Sequence, residues 1–452
     1  MTSTSVSTGI PVGTSPLSLQ QEFLHMIDHG DEAGPFGPRY TIVGGWRLTG
    51  ELDLGALQGA LDDVVVRHET LRTSIVRSGD TPYQMVLPPA PVRLEVRRLE
   101  AASPADRDRV AEEFLNDLEA GKFAIEEVPI LRAFLGRFDE RDAVLVLGGH
   151  HTAIDGWSVH CLMRDIAAYY AARRERRAPD LPEIRQYREY VAWQRANVDS
   201  PAVVAARAYW RENLAGAQVV PIPTDKPRTE ETFFTAWHRF LFDDGLRSGT
   251  AAWAARTASS PFMVLLGAYL MYLREQTGES ELVVPTFTPG RQLAWIQDTV
   301  GSFYNFLPLR TDITGCATLP EVVRRVRATC LAAYQHEIPF ASLLQEAPTV
   351  MDAAVSGNFA ACVFQVTQSP DMMYGGQAGG LRIAAMRRRV LSAPVGSQIP
   401  DGVLFGLEVD PAGGIIGSVG YTTNLFVESG IVRMISDFER VLHDTVGQPV
   451  SA

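Results

Sequence analysis

The chain has 452 residues, 46% of them hydrophobic and 21% charged, with a formal net charge of −12 at pH 7. That length exceeds one ordinary core, so two domains are expected, and the composition is that of a soluble globular protein. The negative balance excludes a general nucleic-acid binder, which must neutralise phosphates.

In chain order, the polar opening MTSTSVSTGIPVGTSP lacks the basic and apolar regions of a signal peptide. Ser18 to Gln21 reads as a capping box that opens a helix through Met26. A strand is expected over Tyr40–Leu48. A helix capped by Asp53 then carries Leu57, Leu61, Val64, Val65, His68 and Leu71 on one face. Strands follow at Thr73–Val76 and, after the turn LPPAPV, at Arg93–Val96; a polar helix runs from Pro104 to Glu119. The apolar run Ala143–Leu147 reads as a strand, Gly148-Gly149 as a turn, and Trp157–Arg173 as a helix. The charged, proline-containing stretch Ala172–Glu183 is the best interdomain linker. Beyond it, helices are expected at Tyr187–Ala196, Ala202–Leu214, Pro261–Thr277, Leu319–Gln335 and Gly430–Val446, with strands at Leu282–Phe287, Phe303–Leu309 and Ala361–Val366. Two halves of mixed helix and sheet make an α/β protein, divided as 1–177 and 178–452. The longest strongly apolar run, Phe262 to Leu273, is too short to cross the ~30 Å bilayer core, so no membrane partner is expected. The four cysteines, Cys161, Cys316, Cys330 and Cys362, are scattered without metal-type spacing, which points to a reducing, cytoplasmic setting.

The chemistry concentrates in GGHHTAIDGWSVH, residues 148–160. A metal site needs at least three ligands, and neighbouring side chains on an extended segment point to opposite faces, so His150 and His151 do not make one. Two readings of His151 stay open on residue types alone. It is a satisfied core histidine at a strand-to-helix corner, or it is a general base, since an imidazole titrates near working pH. Asp155 either holds that corner, as a cap or in an ion pair, or takes part in chemistry. LGGHH also superficially resembles the LGGxS motif of carrier proteins, but His151 stands where the modified serine would be, so the chain is not a carrier.

HHTAIDG resembles the HHxxxDG motif of the condensation domains of non-ribosomal peptide synthetases, in the chloramphenicol acetyltransferase-like superfamily. The resemblance runs in order along almost the whole chain. PLSLQQEFL resembles the family's first motif, with Gln20 where alanine is usual. RHETLRT, YREYVAWQ, TPGRQ, VGSFYNFLPLR and HEIPF match later ones, and YTTNLF resembles YxTDLF with Asn424 in place of aspartate.

The resemblance implies two acetyltransferase-like α/β sandwich lobes in a V with an active-site tunnel between them. It implies a condensation enzyme that moves an acyl or aminoacyl group from the phosphopantetheine thioester of a peptidyl carrier protein to an amine or hydroxyl acceptor, small or itself carrier-bound. No cofactor is bound by the chain itself. Carried over by position, His151 is the catalytic residue, His150 packs, Asp155 pairs with Arg291 to fix the corner, and Gly156 leaves room beside the backbone. Asn305 and Arg310 either line the tunnel or hold the lobes. Phe303, Phe340 and Trp193 are expected in the core. The runs Arg173–Arg177 and Arg387–Arg389 are either solvated surface or an attraction for an acidic carrier. A coenzyme A-dependent acyltransferase and a non-catalytic docking domain are the competing readings. No adenylation or carrier segment is recognisable in the chain, and a free-standing enzyme is expected.

Overall fold

The computed structural model describes residues 14–28, 30, 34–78, 81–228, 234–367, 375–399 and 401–447. Most of the polar opening lies outside them. The chain divides into two compact units, and neither is a contiguous half. Unit one comprises Met1–Asp199, Pro289–Tyr304 and Met372–Met386; unit two comprises Ser200–Thr288, Asn305–Asp371 and Arg387–Ala452. The division expected at 177/178 therefore differs from the compact units, because the helix Tyr187–Ala196 packs with the first unit's Phe303 and Ile296 rather than starting the second. Both units are α/β.

Unit one is built on a six-stranded sheet ordered Gly375–Ala378, Leu381–Ala385, Thr41–Thr49, Asp142–His150, Arg132–Arg137 and Leu94–Arg98. Only the last pair is parallel. The strand Asp142–His150 shows why a continuous apolar run suits this place. Ala143, Leu145 and Leu147 face a core formed with the helices Leu54–Arg67 and Gly156–Glu175, whereas Val144 and Val146 face Phe114, Leu115 and Leu118 of the helix Arg107–Glu119. A strand covered on both faces has no solvent side and so no alternation.

The expected Gly148-Gly149 turn is instead strand. Gly148 and Gly149 sit in register with Val43 and Ile42, and His150 with Thr41, and the chain turns only after His150. Glycine at 149 lets Ile154 pack close, since a Cβ there would stand 2.7 Å from Ile154 Cδ1 and that side chain would have to shift.

Unit two contains a four-stranded sheet ordered Cys362–Thr367, Val403–Val409, Ile415–Thr422 and Thr235–Phe242, and an antiparallel pair Glu281–Thr288 with Asn305–Asp312. The helix Pro261–Thr277 is apolar on nearly every side because it is buried. Its Tyr269 stacks on Phe364 at 4.3 Å between centroids and meets Phe438 of the helix Glu428–Thr445 edge-on. Among the described residues no helix is long and apolar enough to cross a membrane.

Candidate active site

The histidine motif lies where the strand Asp142–His150 ends and the helix Gly156–Glu175 begins. His150 points into the unit and is 1% exposed. Its Nε2–H donates to the Gly37 carbonyl at 3.0 Å, while Nδ1 accepts from the Thr152 hydroxyl at 2.7 Å and the Thr152 N–H at 3.3 Å. Both ring nitrogens are thus spent, and burial pushes its pKa down to about 4. His150 is packed inside unit one.

His151 comes next in the turn, partly exposed, and its N–H donates to the Tyr40 carbonyl at 2.8 Å. Nδ1 is buried without a hydrogen-bond partner of good geometry, and the carbonyls facing the ring are its own and that of Ile154. An Nδ1–H turned toward those carbonyls leaves the lone pair on Nε2 of a side chain that is partly exposed. Burial lowers the imidazole pKa from its ordinary 6.5, and the pull of those carbonyls and of the Asp155 charge does not reverse it. The ring is therefore neutral at pH 7. It also has two aromatic neighbours, Tyr40 at 5.4 Å and Tyr304 of the VGSFYNFLPLR stretch at 4.5 Å between ring centroids.

Asp155 is the N-cap of the helix, and its Oδ1 accepts the Ser158 N–H at 2.8 Å. It is 4% exposed, and its other hydrogen bonds explain how a carboxylate survives there. Oδ1 also accepts from the Ser158 hydroxyl at 2.7 Å and from Arg291 Nη2 at 3.1 Å; Oδ2 accepts from the Phe303 N–H at 3.0 Å. Arg291 is 6% exposed. Its Nη1 donates to the carbonyls of Ile296 and Thr299, both at 2.7 Å, and its guanidinium lies 4.2 Å from the Phe303 ring centroid. The segment Pro289–Tyr304 is thereby pinned to the histidine corner inside unit one. The pairing of Asp155 with Arg291 is present, and Asp155 faces this network rather than His151 Nε2. Ser158, which sequence reasoning did not single out, is the hub: its oxygen accepts from the Gly301 N–H and from Arg291 Nη2, each at 3.0 Å. A polar residue three positions after a capping aspartate was the only signal that could have marked it.

Gly156 is exposed, and among the described residues a Cβ there would meet only Ile42 Cδ1, at 3.7 Å. Asn305 and Arg310 lie in unit two with their polar groups spent there. Asn305 Nδ2 donates to Glu337 Oε1 at 3.0 Å and to the Ile338 carbonyl at 2.8 Å, and its Oδ1 accepts the Phe340 N–H at 3.0 Å. Arg310 pairs with Glu281 at 2.8 Å and donates to the Asn213 carbonyl at 2.7 Å. Both sets of contacts lie within unit two.

RHETLRT is a set of buried charge links. Asp165 accepts from Arg67 and Arg164 at 2.8 Å each and from His68 Nε2 at 2.9 Å. The arginine runs form ion pairs, Arg173 with Asp63 at the surface and Arg387 with Glu408 half-buried. Phe303 and Phe340 are buried as expected, but Trp193 is 40% exposed, because it stacks on Tyr190 with its far side in solvent. Among the described residues no three His, Cys, Asp or Glu side chains come together as a metal site.

A two-unit α/β chain with this corner is built as an acyl-transfer domain of the acetyltransferase-like kind, and the family model for the condensation domain matches residues 31–452. The chain belongs to the condensation-domain family, whose members transfer acyl and peptidyl groups in non-ribosomal peptide synthetases. It is 31% identical over 434 residues to a linear gramicidin synthase of Brevibacillus parabrevis, covering 94% of this chain and 8% of that protein. It is 33% identical over 451 residues to the probable non-canonical synthetase CymA of Salinispora arenicola, covering 96% and 6%. The chain thus spans less than a tenth of the length of these curated relatives. The crystal structure of SgcC5 from Streptomyces globisporus, a complex with (R)-(-)-1-(2-naphthyl)-1,2-ethanediol and sucrose, superposes with a TM-score of 0.92 at 45% identity, covering 96% of this chain and 99% of that one.

Proposed function

We propose that the chain catalyses condensation of an acyl or aminoacyl thioester, carried on the phosphopantetheine of a peptidyl carrier protein, with an amine or hydroxyl acceptor, and that the acceptor is a small hydroxyl compound. The observation that carries the catalytic part is a neutral, partly exposed His151 on a corner fixed by Asp155, Ser158 and Arg291. The acceptor oxygen loses its proton to Nε2 as it attacks the thioester carbonyl. The C–O bond forms, the C–S bond breaks, and the imidazolium returns the proton to the departing thiolate. Histidine suits both transfers because one nitrogen takes and gives the same proton. An amine acceptor follows the same path with a C–N bond.

The hydroxyl preference is supported by the likeness to SgcC5, which was solved with an aryl ethanediol. The phosphopantetheine arm enters as part of the substrate, and the chain needs no cofactor of its own. A cytoplasmic setting goes with this reading, since carrier-bound thioesters are made there.

The test is mass spectrometry of products from carriers loaded with a panel of acyl and aminoacyl groups, offered soluble alcohols, diols and amines. Ester formation from a loaded carrier is expected. Reaction of coenzyme A thioesters alone would establish the competing acyltransferase reading. No turnover with any donor, together with stable binding of a partner protein, would establish a docking domain.

A further inference from the structure

His151 is held by more than its backbone. Tyr40 precedes the strand Thr41–Thr49, and its carbonyl takes the His151 N–H at 2.8 Å while its ring lies 5.4 Å from the imidazole. Tyr304 ends the segment that Asp155 and Arg291 pin, and the N–H of the preceding Phe303 donates to Asp155 Oδ2. Its ring lies 4.5 Å from the imidazole, tilted by 57°. The two phenol oxygens are 2.8 Å apart, so one hydroxyl donates to the other. The imidazole is thus flanked by two rings tied to each other at their tips, each rooted in a different wall of the histidine corner.

A histidine side chain has free torsions about Cα–Cβ and Cβ–Cγ, and an exposed one samples several settings. A base that must meet an acceptor proton needs one of them. We propose that Tyr304, tied through its hydroxyl to Tyr40, is a positioning residue that fixes the orientation of the His151 imidazole and shields all of it except the Nε2 edge. This rests on His151 being the base of the reaction described above. Neither tyrosine touches the reacting bond; each acts through His151. The groups facing the imidazole are Tyr40, Tyr304, the neutral His150 and the Asp155 carboxylate, together with the carbonyls of His151 and Ile154. Asp155 and the carbonyls raise the imidazole pKa, so the depression is due to burial, and the Tyr304 ring is the nearest aromatic cover at 4.5 Å. Burial also keeps both phenols neutral, Tyr40 being pushed up to about 12.

The test uses the full chain and three variants. Y304F and Y40F remove the same hydrogen bond and keep both rings; Y304A removes a ring. NMR titration of the His151 imidazole needs no substrate. It is expected to show a pKa below 6.5 in the wild type and in both phenylalanine variants, and a value moved up toward 6.5 in Y304A. In turnover, Y304A is expected to lower kcat on the order of tenfold with the donor KM unchanged, and to move the acid limb of the pH profile up with the titration. Y304F and Y40F should each lose a few-fold in kcat, and the double variant no more than either alone, because a single shared bond is lost once.

A folded Y304A with the wild-type titration overturns the proposal. So do phenylalanine losses that multiply in the double variant, or a loss confined to the donor KM. If Y304A does not fold, the phenylalanine cycle decides. If only amines accept acyl groups, the hydroxyl reading fails, and the same cycle on amide formation still tests Tyr304.

Discussion

Two buried polar corners sit at loop ends in this chain, one in each unit. In unit two Asn305 uses its whole amide on the segment Glu337–Phe340, and Thr288 donates to the same Glu337 carboxylate at 2.5 Å. In unit one Asp155, Ser158 and Arg291 make a denser network, and beside it stands the partly exposed His151. Both corners hold two chain segments together. Only the corner in unit one presents a reactive atom, and it does so because the surrounding groups are satisfied by one another and leave the imidazole alone. A polar cluster becomes a candidate site through the group it leaves unsatisfied and reachable.

The contrast implies a graded set of outcomes. H151A should lower turnover of a loaded carrier by a factor on the order of 10² or more, while its melting temperature stays close to the wild type; this is read by product mass spectrometry beside a thermal melt. D155A should behave oppositely and lose stability first. Removing one partner of a buried ion pair leaves the Arg291 charge uncompensated and costs about 3–5 kcal/mol, measured by urea unfolding. A stable but inactive D155A would assign Asp155 to the chemistry instead. N305A should cost about 1–3 kcal/mol, since the Phe340 N–H loses its acceptor, and should leave kcat unchanged per folded molecule.

A pH-dependent effect concerns His150. Its folded pKa of about 4 lies below the ordinary 6.5, so the unfolded chain binds the extra proton first as pH falls. The stability it supports is complete above pH 6.5 and is lost as pH drops from there toward 4. Urea titrations across that range should show the slope, and H150N should flatten it.

Much of this was legible in the sequence where the signal was local. HHTAIDG singled out His151 and Asp155, and the capping aspartate marked the helix start. Arg291 came from the family pattern, not from spacing. Ser158, Tyr40 and Tyr304 escaped because their roles depend on segments far apart in the chain meeting at one corner. Tyr304 lies 264 residues from Tyr40, a separation no periodicity reports.

The strands Val403–Val409 and Ile415–Thr422 were missed for another reason. Glycines interrupt both, and a strand interior usually avoids glycine. Here a Cβ at Gly417 would overlap the Phe240 ring and one at Gly420 would stand 2.9 Å from the Trp237 indole, so the neighbouring strand's aromatic rings fill the space. The Gly148-Gly149 turn failed similarly, since those glycines serve Ile154 and the sheet register.

The central claim is that a neutral, partly exposed His151 is the base. The measurement that bears on it most directly is the pH dependence of kcat/KM for acyl transfer from a loaded carrier, in the wild type and in H151A. A single acid limb with a midpoint below 6.5 in the wild type, absent from the residual activity of H151A, is the predicted result. A limb at or above 6.5, or one that persists unchanged in H151A, would contradict it.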